Sequence, residues 1–75
     1  MAIRDFFFTD HAKGRMRQRT ISERDVERAL DKPEMSYPGR HGETNLVSTI
    51  DGRRIRICYV MAGNRKKIIT VIQIA

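Results

Sequence analysis

The segment KKIITVIQI, residues 66–74, is apolar on both sides of an extended chain: Ile68, Ile72 and Ile74 alternate with Ile69 and Val71. Such a strand belongs in the middle of a sheet, with a neighbour on each edge. Two earlier segments supply neighbours. TNLVSTI, residues 44–50, and RRIRICYVM, residues 53–61, flank Asp51-Gly52, a pair suited to the type I′ turn of a two-residue hairpin. AGNR, residues 62–65, then turns the chain into the last strand. In the middle segment Ile55, Ile57, Tyr59 and Met61 share one face, while Arg54, Arg56 and Cys58 share the other. EMSYPGR, residues 34–40, is a shorter strand that Pro38 and Gly39 confine to an edge.

Before Pro33 the period is helical. Thr9 or Asp10 caps a first helix that runs to about Arg19. In TISERDVERALDKP, Ser22 is the N-cap of a second helix and Asp25 occupies the capping-box position. Ile21 and Val26 form a hydrophobic staple, and Pro33 stops the helix. The order α-α-β-β-β-β predicts an α+β fold with two N-terminal helices packed on a four-stranded antiparallel meander. With 75 residues, the chain is read as one domain, 1–75. A domain this small buries about 60–65% of its unfolded surface, so any active site should be a shallow groove on the outside.

Charge narrows the choice of partner. Fifteen Lys and Arg against nine Asp and Glu give +6, with a pI near 10.3. That excess favours polyanions through long-range attraction and counterion release, which makes RNA the first candidate. An acidic protein comes second. No strongly amphipathic helix with a broad apolar face suits a membrane surface, and no stretch approaches the ~20 apolar residues of a span. The start, MAIRDFFFTD, lacks the continuous apolar core of a signal peptide. Cys58 is the single cysteine, so a cytoplasmic location is expected. No Cys/His spacing suits zinc, no glycine-rich loop suits phosphate, and the acids do not converge as a metal-dependent nuclease requires. Neither a metal nor a cofactor is expected.

The cations cluster. Lys13, Arg15, Arg17 and Arg19 lie on the first helix, and Arg53, Arg54, Arg56, Arg65, Lys66 and Lys67 fill 53–67 with no acid among them. At about 100° per residue, with His11 at zero, Arg15 lies at about 40°, Gln18 at about −20° and Arg19 at about 80°. These four share a face, with Ala12 and Met16 on the buried side. Like charges at Arg15 and Arg19 oppose helix stability, as do cations near a helix N-terminus. Violations of this kind tend to mark functional sites. His11 falls in the first turn, where the helix dipole and Arg15 disfavour imidazolium, so a neutral ring is expected. Neutral imidazole can take a proton from a ribose 2′-OH, while guanidinium stabilises charge developing on phosphorus. Lys13, Arg17, Arg54, Arg56 and Lys67 are expected to add contacts to RNA.

HAKGRMRQRTIS followed by ERDVERAL resembles the opening of a family of small bacterial domains of unknown function, whose helices read roughly H-A-x-x-R-M-x-x-R-G-I-S. An ITV element in the last strand is matched by Ile69, Thr70 and Val71. Thr20 departs from the pattern, standing where the family usually has glycine. The family looks related to the RelE-like, barnase–colicin-type group of compact toxins, many of them metal-independent ribonucleases. The resemblance implies His11, Arg15, Arg19 and Thr70 as site positions. Thr70 would orient a phosphate or His11, and Arg56 or Lys67 would lend charge from the sheet.

The leading expectation is therefore a toxin-like ribonuclease that needs no metal and cleaves by 2′-OH attack. A basic module that binds nucleic acid without cleaving it is the rival. An interaction domain for an acidic, antitoxin-like partner is the third reading. At least one ring of Phe6, Phe7 and Phe8 should enter the core, because three in succession cannot all face inward. An exposed remainder would suit a homodimer or partner surface.

Overall fold

The computed structural model describes residues 5–75; residues 1–4, the beginning of the stretch judged unlike a signal peptide, lie outside the described residues. The elements are β1 (Phe6–Phe8), α1 (Asp10–Arg19), α2 (Glu23–Asp31), β2 (Met35–Pro38), β3 (Thr44–Ile50), β4 (Arg53–Ala62) and β5 (Arg65–Gln73). The class is α+β, as expected, but the sheet is five-stranded and mixed, in the order β1-β5-β4-β3-β2. It is not the four-stranded antiparallel meander predicted from local pattern. The difference is the aromatic run, which forms a strand pairing in parallel with β5: Phe6 opposite Lys66, Phe7 opposite Lys67 and Phe8 opposite Ile68. Parallel neighbours need a long connection, and everything from α1 to β4 intervenes. β5 is thereby internal, flanked by β1 and β4, as its apolar character demanded.

Both helices cover one side of the sheet. Ile57 and Val71 face each other across β4 and β5, fully buried, and Leu46 continues the row on β3. Ala12 and Met16 from α1, Ile21 from the inter-helix turn, and Val26 and Ala29 from α2 complete the core against them. Phe6 and Phe8 point to this side and meet edge to face at 5.6 Å, while Phe7 points to the other, beneath the Arg65 guanidinium at 4.7 Å. Among the described residues no helix is long and apolar enough to cross a membrane.

The second helix follows its sequence signals closely. The Ser22 side chain accepts from the Asp25 N–H at 3.0 Å, and the Asp25 carboxylate accepts from the Ser22 N–H at 3.1 Å. Ser48, buried on β3, donates to the Lys32 carbonyl at 2.9 Å and so holds the end of α2 on the sheet. Just past the C-terminal end of β3, Asp51 and Gly52 both have positive φ, 52° and 80°, as the type I′ turn requires. Arg28 grips the Asp51 carboxylate with two hydrogen bonds of 3.1 and 3.3 Å, and these hold that carboxyl below its ordinary range.

The link between the helices turns at Thr20. Its backbone is left-handed, φ 55° and ψ 46°. The Thr20 N–H donates to the Arg17 carbonyl and the Ile21 N–H to the Met16 carbonyl, while buried Ile21 and Met16 supply the apolar pair of a Schellman cap. Arg53 reinforces this end by donating to the carbonyls of Arg19 and Thr20. A β-branched residue in left-handed geometry costs about 1–2 kcal/mol relative to one without a Cβ. Thr20→Gly is therefore expected to stabilise the protein by about 1 kcal/mol and raise its Tm by about 4–8 °C. Calorimetric scans of the two proteins check this, and an unchanged or lower Tm would contradict the strain.

Candidate nucleic-acid interface

Thr9 sets the position of α1. Its hydroxyl accepts from the Ala12 N–H at 3.1 Å, capping the helix, and reaches the carbonyls of Ile68 and Ile69 at 3.0 and 3.2 Å. The helix is thus bolted at its start to β5, with Ala12 and Met16 driven into the core. The opposite arc of α1 must face water. His11, Arg15 and Gln18 are exposed there, and with Gly14 they line an open concavity of about 290 Å³. An Arg15 guanidinium nitrogen donates to Gln18 Oε1 at 3.4 Å, restraining the fork on this arc. A Cβ built on Gly14 would meet nothing within 4 Å, so the floor of the concavity is bare helix backbone.

The other site candidates do not join this group. Arg19 is exposed but absent from the concavity lining, and its carbonyl is occupied by Arg53. Lys13 and Arg17 lie around the helix, lining a neighbouring depression with Glu23. The expected charge from the sheet is on the wrong side. Ile57 and Val71 face the helices, so alternation turns their neighbours Arg56, Cys58, Thr70 and Ile72 to the opposite face. Arg54 and Lys67 share that face, with Arg54 beside Glu34 at 3.7 Å. Thr70 lies opposite Cys58 and is separated from His11 by the thickness of the sheet and helix layer. Neither Thr70, Arg56 nor Lys67 can touch a group held between His11 and Arg15.

A larger concavity, about 360 Å³, lies between α2 and the start of β1, lined by Asp5, Phe6, Glu27, Arg28, Leu30 and Asp31. Its three carboxylates repel phosphate, so size does not make it the nucleic-acid site. Among the described residues no group of three His, Cys, Asp or Glu side chains is placed to hold a metal ion. The residue that sequence reasoning missed is Arg53, counted there as one more cation. A cap at the end of α1 is signalled by glycine in the left-handed position, and Thr20 hides it.

The chemistry available on α1 is phosphate binding by Arg15, with amide support from Gln18, next to an imidazole open to solvent. No curated protein and no solved structure matches the chain. The model of a family described as a domain of unknown function, DUF4258, matches residues 8–73, and the chain belongs to that family.

Proposed function

We propose that this DUF4258 member is an RNA-directed, toxin-like protein that cleaves its substrate without a metal, His11 acting as general base and Arg15 as phosphate ligand. One observation carries the reading: imidazole and guanidinium stand one helical turn apart on the same exposed concavity. A ribose 2′-OH lodged there gives its proton to His11 as its oxygen attacks the adjacent phosphorus. The 5′-oxygen of the next nucleotide leaves and takes up a proton from solvent, and a 2′,3′-cyclic phosphate remains. Arg15 balances the charge that accumulates on the phosphoryl oxygens. The resemblance of HAKGRMRQRTIS to a family that looks related to the RelE-like toxins points to the same chemistry. Arg19 is left as a flanking phosphate contact, and Thr70, Arg56 and Lys67 have no part in the step.

Purified protein incubated with RNA in excess EDTA is expected to yield products ending in cyclic phosphate. Intact RNA under those conditions would overturn the assignment and leave the rival reading, a basic module that binds without cleaving. That rival draws support from the same map: the concavity holds two catalytic-type groups where a fuller set was expected.

Gly14 gives an independent check on the location. Glycine inside a helix costs about 0.5–1 kcal/mol relative to alanine, and its added methyl would project into the concavity. Gly14→Ala is expected to raise Tm yet weaken RNA binding about threefold, a loss of about 0.6 kcal/mol. Opposite signs cannot arise from unfolding. Anisotropy titration of labelled RNA beside a thermal scan reads both, and unchanged affinity would move the site off this part of α1.

A further inference from the structure

The side of the sheet facing away from the helices is covered by no element among the described residues. The register lays out its side chains in rows. Met35, Val47, Arg56 and Ile72 run across β2 to β5, and Tyr37, Asn45, Cys58 and Thr70 run beside them. Met35 is 49% and Tyr37 40% exposed, though both are large and apolar in character. Arg56 occupies the centre, and its Nε is buried with no acceptor in reach. Lys67 stands in the next row, opposite Val60. The acids near this face are Glu34 at the rim, beside Arg54 at 3.7 Å, and Glu43, whose charge reaches Cys58. The result is a mixed surface: Met35 and Tyr37 are exposed at its edge, Ile72 is half-buried, and the cations Arg54, Arg56 and Lys67 lie across it.

Three occupants fit an apolar sheet face. A second copy would set one cation-bearing face, with Arg56 and Lys67, against another, so like charges meet. Single-stranded RNA needs neighbouring aromatic platforms for successive bases, and here Phe7 and Tyr37 stand on opposite outer strands, about 19 Å apart across the sheet. A helix with an apolar stripe packs on a sheet naturally, as α1 and α2 do on the other side. We propose that this face docks an amphipathic helix of a partner protein, one that presents Asp or Glu beside its Leu, Ile or Val stripe. The stripe covers Met35, Tyr37 and Ile72, and a carboxylate engages the Arg56 guanidinium, where charge-assisted bonds are strongest. The α1 concavity lies on the far side, so the partner and a ligand of α1 can be held together. The inference stands whether or not α1 cleaves RNA.

The test uses the full chain and a synthetic, fluorescein-labelled helix of about 18 residues, five turns, with leucines at helical spacing and glutamates flanking them. A twin peptide carries lysine for glutamate. Saturable binding of the glutamate helix is expected, weakened at least about tenfold by Arg56→Glu and by Met35→Glu. The lysine twin should not bind. Met35 is exposed at an edge strand, so its variant folds even where Arg56→Glu disturbs the sheet, and circular dichroism verifies both. Cys58 reports the location directly. Burial pushes its thiol up, with Glu43 adding to the effect and Arg56 opposing it, so alkylation is run at about pH 9. The glutamate helix should slow it at least about fivefold, while an RNA oligonucleotide should not. No saturable binding, equal binding of the lysine twin, indifference to both substitutions, or protection of Cys58 by RNA or by self-association would each overturn the proposal.

Discussion

His11→Ala leaves the protein folded and lowers metal-independent RNA cleavage by about 10²–10⁴-fold, the usual worth of a general base. The fold should not suffer, because His11 is exposed on the first turn of α1 and the core contacts of that helix come from Ala12 and Met16. Alanine also has the higher helix propensity, so Tm should stay level or rise slightly. Loss of activity with retained stability separates a chemical role from a capping role, which belongs here to Thr9. Arg15→Ala should behave differently. One phosphate contact fewer weakens binding and lowers the salt slope by about 1, so its defect shows in KM as well as kcat. Equal cleavage by wild type and His11→Ala in EDTA would remove His11 from the mechanism, whatever Arg15 does.

How far such a site is legible in sequence depends on the range of the signals. The second helix was readable to the residue, because Ser22, Asp25, Ile21 and Val26 act within one turn of each other. The β3–β4 hairpin was readable for the same reason through Asp51-Gly52. The exposed arc of α1 followed from helical spacing alone, and His11, Arg15 and Gln18 do meet on one surface. What failed was non-local. Pairing of Phe6–Phe8 with β5 joins residues about sixty apart, and no local pattern announces a parallel neighbour. The last strand also departs from strict alternation. The β4–β5 register shifts at Cys58/Tyr59, which lie opposite Thr70 and Ile68 and leave Ile69 extra, so Ile68 and Val71 both reach the core despite being three apart. Alternation through that segment put Thr70 on the side of Ile68. The bulge turns it to the uncovered face, so the site that the family resemblance implied, joining His11 to Thr70, is not formed.

Ile57→Ala should be the most damaging single change to stability. Ile57 is fully buried in β4 between Leu46 on β3 and Val71 on β5. Truncation there removes transfer energy and leaves a cavity between rigid strands, at about 2–5 kcal/mol. A domain of this length has roughly 4–11 kcal/mol in total, so a large share of the folded-state margin disappears. With an m-value of about 1 kcal/mol/M in urea, the midpoint should fall by about 2 M or more. Ile74→Ala is the control: 45% exposed beyond the end of β5, it should change stability by less than about 0.5 kcal/mol. The two isoleucines separate burial from composition, since each loses the same atoms. A midpoint shift for Ile57→Ala no larger than that for Ile74→Ala would mean that the β4–β5 interior is not the core. The attachment of α1 would then fall with it, because Thr9 anchors that helix to β5, the strand that carries Val71. Where Ile57→Ala remains folded at low temperature, its α1 surface is unaltered. Any loss of RNA cleavage should then follow the unfolded fraction as temperature rises, instead of appearing at every temperature as expected for His11→Ala.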